Sequence, residues 1–195
     1  MKSKIVVFWL YILTFILVAI KANYCQNIED IDSGYNKAIK SDINSIKICI
    51  KNIDKDLEKN PDNAMLKIYK GSLEAKLADK EILFWDKLIH VNDGIVIMKN
   101  AMQIIDNDNK GIYSDKEKLK MYLTRGITSA YIPSTFQSHD IAIYELKRAK
   151  DSILFKDVPK DIQFETLELL IKLYKEKNMG QEVDNCQREL EKSQG

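Results

Sequence analysis

Apolar positions recur at helical spacing along most of the chain, and turn residues cut that pattern into short pieces. After a polar stretch from Asn27 to Ser33, residues Ala38, Ile39, Ile43, Ile46, Ile50, Ile53 and Leu57 follow the period of a helix, which stops at Asn60-Pro61. Pro61 disfavours the α conformation at Asn60, while its own fixed φ suits the first turn of the helix that follows. That helix carries Met65, Leu66, Ile68, Tyr69, Leu73 and Leu77, with Gly71 and Ala75 as small positions where a second helix can come close. The chain turns at Ala78-Asp79. A long pattern then runs from Ile82 to Ile105 through Phe84, Trp85, Leu88, Ile89, Ile95, Ile97, Met98 and Met102.

Asp106 to Gly111 is polar, and Ser114-Asp115-Lys116-Glu117 reads as a capping box that starts a helix through Tyr131. Ile132-Pro133 closes it. Ser138 or Asp140 opens the next helix, predicted to extend through Leu154 and Phe155 to a break at Val158-Pro159. Two further helices, Ile162 to Lys177 and Gln181 to Lys192, meet at Asn178-Met179-Gly180, where Asn or Gly can take the left-handed capping conformation. No alternating strand pattern competes. Short connections between successive helices predict an all-α chain of antiparallel hairpins.

Within these hairpins the spacing is regular. Leu167, Leu170, Ile171 and Tyr174 on one helix are followed by Val183 and Leu190 on the next. Ala142, Leu146 and Ala149 follow a helix bearing Leu123, Gly126 and Ala130, and Leu57 to Asn63 spans the end of one unit and the start of another. With Pro61-Asp62-Asn63-Ala64, Tyr69-Lys70-Gly71-Ser72, Arg125-Gly126 and Pro133 to Phe136, the stretch of about residues 35–192 resembles the exported tetratricopeptide-repeat proteins of bacteria. The helix from Glu81, the loop after it and the insertion at Ile132 to Gln137 are longer than that pattern. The resemblance implies hairpins stacked as a short right-handed superhelix, a repeat domain over residues 35–195 that binds another polypeptide.

The same resemblance implies a concave face lined by the first helix of each hairpin. It places Met65, Ile68, Ser72, Lys120, Leu123, Ile127, Tyr131, Glu165, Glu168, Lys172 and Lys175 in that groove. Arg125 lies inside an otherwise apolar segment. Its guanidinium is expected either to pair with an acid on a neighbouring helix or to join the groove as an anchor for a partner's carboxylate.

The N-terminus changes the picture of where this domain works. Lys2 and Lys4 precede an uncharged, largely apolar run from Ile5 to Ile20, and Ala22 offers a small residue for cleavage. Sixteen residues at ~1.5 Å rise cover about 24 Å, less than a ~30 Å hydrocarbon core, which favours a cleaved signal peptide (1–22) over a retained anchor. Residues 23–34 then form a polar linker, and the product is exported, to a periplasm or the outside. Removing Lys2, Lys4 and Lys21 leaves 27 basic against 29 acidic residues, a near-neutral domain poorly suited to nucleic acid. Cys25 follows Tyr24 rather than the small residue a lipoprotein signal requires, and Cys49 and Cys186 read as small apolar core residues.

Chemistry is sparse. His90 and His139 are the only histidines, and His90 with Asp93 one turn on makes an incomplete metal set. No metalloprotease, Walker, dinucleotide or nucleophile-elbow motif occurs, so no catalytic residue, metal or cofactor is assigned. The loop Asp106 to Glu117 does align with a calcium-binding helix-loop-helix, with Asp106, Asp108, Gly111, Ser114 and Glu117 in register. Lys110 replaces a ligand oxygen there with a positive charge. The sequence therefore favours a non-catalytic protein-binding module, with a calcium-dependent module or a hydrolase of unrecognised site as the alternatives.

Overall fold

The computed structural model describes residues 31–194, and all regular structure among them is helical. The apolar run 5–20, the cleavage site and Cys25 lie outside the described residues. Among those described, no helix is long and apolar enough to cross a membrane. The described residues fall into two compact units that divide between Cys49 and Ile50.

In the first unit α1 spans 31–38, so residues 31–34 of the expected linker are helical. The helix predicted to run unbroken through Ala38 and Ile43 is interrupted. Ser41 donates its hydroxyl to the Lys37 carbonyl at 2.6 Å, and Asp42 Oδ1 accepts the Ser45 amide at 2.8 Å. Short polar side chains compete with the helical ladder in this way, and Asp42 instead caps a new helix, α2 (Ile43–Lys59).

The second unit contains α2 from Ile50 onward, α3 (Ala64–Leu77), α4 (Phe84–Asp106), α5 (Asp115–Tyr131), α6 (Ser138–Lys150), α7 (Lys160–Glu176) and α8 (Gly180–Gln194). Local chemistry sets their ends. Asn63 accepts the Leu66 amide and caps α3, which leaves Pro61 ahead of the helix rather than in its first turn. Both halves of the Ser114/Glu117 capping box are formed at α5. Asn178 adopts φ 57°, and the Met179 amide reaches the Tyr174 carbonyl at 2.9 Å, closing α7 with a left-handed cap. α6 ends at Lys150, short of the expected Phe155: the Ser152 hydroxyl accepts the Leu154 amide, and the chain turns through Phe155–Asp157. Leu154 and Phe155 still pack against Leu119, Leu123 and Ala149 from that turn.

Helices pair as α3–α4, α5–α6 and α7–α8, and the leading helices α3, α5 and α7 touch in succession. Glycines set how closely the first two hairpins close. A Cβ on Gly94 would stand 2.5 Å from the Gly71 carbonyl oxygen and 2.9 Å from the Ala75 nitrogen, and one on Gly126 would stand 2.7 Å from Leu146 Cδ2. With α4 and α5 both against it, α3 is buried on nearly every side: Tyr69, Ile68 and Leu73 are fully enclosed.

At Gly94 the obstruction is backbone, whereas at Gly126 it is chiefly the end of a leucine side chain. Gly94→Ala should therefore destabilise by about 1–3 kcal/mol despite alanine's better helix propensity, and Gly126→Ala by less. Urea unfolding midpoints of the two variants check this; equal midpoints would contradict it.

Candidate functional site

Of the positions assigned to a binding face, the structure keeps only part at the surface. Met65, Ile68 and Leu123 are buried core residues, and Ser72 is buried and hydrogen-bonded to Thr128 across α3 and α5 at 2.7 Å. The expected place of Met65, Ile68 and Ser72 on an open groove is corrected by the packing of α3 between α4 and α5, and that of Leu123 by its packing with Leu119, Ala149, Leu154 and Phe155. Ile127 packs into the cluster built around Leu146, Leu167 and Leu170. Lys120 is half-buried, its ammonium 5.6 Å from the centre of the Tyr69 ring.

Arg125 takes the first of its two expected roles. Its Nη1 donates to Glu145 Oε1 at 2.6 Å, joining α5 to a fully buried carboxylate on α6. Arg125 is thus removed from the groove. Glu145 Oε2 has no hydrogen-bond partner and stands 4.0 Å from Arg148 Nη1, while Arg148 donates to Tyr122 and Asp106 and lies over the Tyr122 ring. Burial pushes the Glu145 carboxyl above the ordinary range, with Arg125 and Arg148 pulling it back only partly.

What remains exposed is a line along α7. Glu168, Lys172 and Lys175 are exposed and Glu165 half-buried, at a spacing that places them on one helix face. Tyr131, 66% exposed at the end of α5, donates its hydroxyl to Glu165 Oε1 at 3.1 Å and extends the line across the two leading helices. Acids occupy its N-terminal half and bases its C-terminal half. Beyond Lys175 lies an open concavity of about 350 Å³ that also involves Asn178, Met179, Val183 and Asp184 at the α7–α8 turn.

The acidic loop between α4 and α5 is organised by protein donors. Asp108 accepts the Ile112 and Tyr113 amides at 2.8 and 3.1 Å and meets Lys118 at 3.2 Å, which together hold its carboxyl below the usual range. Asp106 pairs with Arg148, and Glu117 accepts the Ser114 amide and hydroxyl. Tyr113, positioned by this turn, accepts the Ala64 amide and donates to the Asp62 carbonyl. The loop therefore secures the start of α3. His90 lies between Glu74 at 3.0 Å and Glu81 at 3.7 Å, and His139 meets Glu176 at 2.8 Å, so each imidazole joins neighbouring segments.

A second exposed feature was not anticipated. The helical pattern expected from Ile82 through Phe84 and Trp85 begins only at Phe84, and Ile82, Leu83, Phe84 and Trp85 are all exposed at or just before the start of α4. The signal was present in the sequence, because four successive apolar residues cannot share one helix face. No protein-family model, curated protein or solved structure matches this chain.

Arg125→Met leaves Glu145 buried without its partner and should cost about 3–5 kcal/mol at neutral pH, whereas adding Glu145→Leu should restore most of it. Because the folded-state pKa of Glu145 is raised, its contribution to stability falls as pH rises from the usual carboxylate range through that pKa, so the single variant should recover relative stability in acid. Chemical denaturation of both variants at neutral and acid pH measures this. Asp108→Ala, which removes two amide acceptors, should lower Tm equally with and without millimolar calcium; a calcium-dependent difference would revive a metal role for the loop. The depressed pKa of Asp108 means that its stabilisation is present above the unfolded carboxylate pKa and is lost as pH falls through the folded one.

Proposed function

We propose that this chain is an exported, non-catalytic interaction module built on tetratricopeptide-like hairpins, which binds another polypeptide along its leading helices. The observation that carries the reading is the succession α3, α5, α7: each opens a hairpin, and each touches the next. In such a stack one hairpin cannot bury its apolar face alone, and with α3 enclosed the surface left to a partner is that of α5 and α7. Export rests on the basic start and apolar run of residues 2–20.

The binding line is narrower than the resemblance implied. It comprises Tyr131, Glu165, Glu168, Lys172 and Lys175, with Lys120 at the margin. A charged line divided into an acidic and a basic half orients a partner segment of opposite polarity, and the tyrosine supplies apolar contact with a polar tip. Charges of this kind act on encounter and register more than on total affinity.

Lys172→Glu with Lys175→Glu tests the line without disturbing the core, because both side chains are exposed. With a photocrosslinker placed at Glu168, the parent chain should yield a defined polypeptide adduct in extracts of its native compartment. The double variant should reduce that adduct about ten-fold, a change of ~1.4 kcal/mol. Undiminished crosslinking in the variant would remove α7 from the binding surface.

A further inference from the structure

The apolar tip at the start of α4 is distinct from the charged line on α7. Ile82 is 93% exposed, Leu83 64%, Phe84 64% and Trp85 73%. Ile82 and Leu83 precede the helix, Leu83 in an extended conformation (φ −80°, ψ 131°), while Phe84 and Trp85 open it and stand ~100° apart about its axis, so the four form a tip exposed in more than one direction. Ile89 and Val96 are also exposed and extend the surface from Trp85 along α4. The Phe84 and Trp85 rings meet edge to face, with centroids 5.6 Å apart.

Charged residues flank the tip in the chain on both sides. Lys76, Lys80 and Lys87 are balanced by Asp79, Glu81 and Asp86, and Lys76 is bonded to Asp79 at 2.7 Å. The flanks are formally neutral while carrying both signs.

We propose that Ile82, Leu83, Phe84 and Trp85 form a lipid-surface anchor that enters the interfacial layer of a zwitterionic bilayer. A protein groove covers one side of a helix and must match its shape. A bilayer surface surrounds a tip from every side and needs no matching shape. Tryptophan and phenylalanine favour the boundary between headgroups and acyl chains, and side chains lodged there reach ~5–10 Å into the membrane. The balanced flanks match headgroups that themselves carry a positive and a negative charge, so binding does not depend on anionic lipid.

The test uses the full chain carrying Trp9→Phe, which leaves Trp85 as its only tryptophan. It is mixed with phosphatidylcholine vesicles brominated at shallow or deep acyl positions. Trp85 emission should shift to the blue and be quenched roughly two-fold or more by shallow bromines, less by deep ones, with little dependence on salt. Adding Ile82→Glu and Leu83→Glu should abolish both changes while the helical circular dichroism is retained. The readout belongs to Trp85 alone, so attachment through residues 5–20 cannot imitate it. Trp85 emission unchanged on vesicles to which the chain has bound would overturn the proposal. A blue shift that follows protein concentration without lipid would also overturn it, by placing a second copy on the tip.

Discussion

Close approach of backbones inside the hairpins is the constraint on which the rest of the second unit depends. Gly71 and Gly94 face one another across α3 and α4, and each occupies space that the other helix's atoms would deny to a Cβ. Glycine within a helix costs about 0.5–1 kcal/mol relative to alanine, so its use there is offset only by contact that larger residues would prevent. With the first hairpin closed this tightly, α3 is enclosed by α4 and can still receive α5. The Ser72–Thr128 hydrogen bond then links α3 to α5 at a position where both side chains are small enough for a short span.

The second hairpin adds a polar lock to the same geometry. Gly126 admits Leu146, and one helical step away on each partner Arg125 meets Glu145. A buried ion pair gives little net stability compared with a well-packed apolar pair, but leaving either charge alone is costly. The pair therefore penalises any sliding of α5 along α6 that parts the two charges. Arg148 extends the lock to Tyr122 and to Asp106 at the end of α4. The loop after α4 serves the same end, since Asp108 shapes the turn that brings Tyr113 to the first amide of α3.

Helix existence and most of the helix ends were legible in the sequence because they rest on local rules. Ser114 with Glu117 and the turn at Asn178 are signals a few residues long, and the structure forms both. The break at Asp42 and the end of α6 at Lys150 were missed, since apolar spacing continues past each while a nearby side chain redirects the backbone. Surface assignments fared less well. Met65, Ile68, Ser72 and Leu123 have the right spacing for a leading helix face, but periodicity cannot count how many neighbours cover that face. Arg125 could be recognised as exceptional within an apolar segment; that its partner is Glu145, twenty residues on, depends on how α5 and α6 meet.

The exposed groups divide by chemistry in a way that follows from hairpin position. α7 lies beyond the tightly closed first pair, so its outward face remains free to carry Glu165, Glu168, Lys172 and Lys175, while α3 has no free face to offer. α4 is a trailing helix that is longer than its partner α3, and its first turns run on without an inward surface for every apolar side chain. Charge on α7 suits reversible recognition with a defined register, because exposed ion pairs contribute little affinity and are screened by salt. The apolar tip on α4 acts by desolvation, which salt does not screen and which sets no register. If one surface positions the module and the other selects what it holds, the tip is suited to the first task and the charged line to the second.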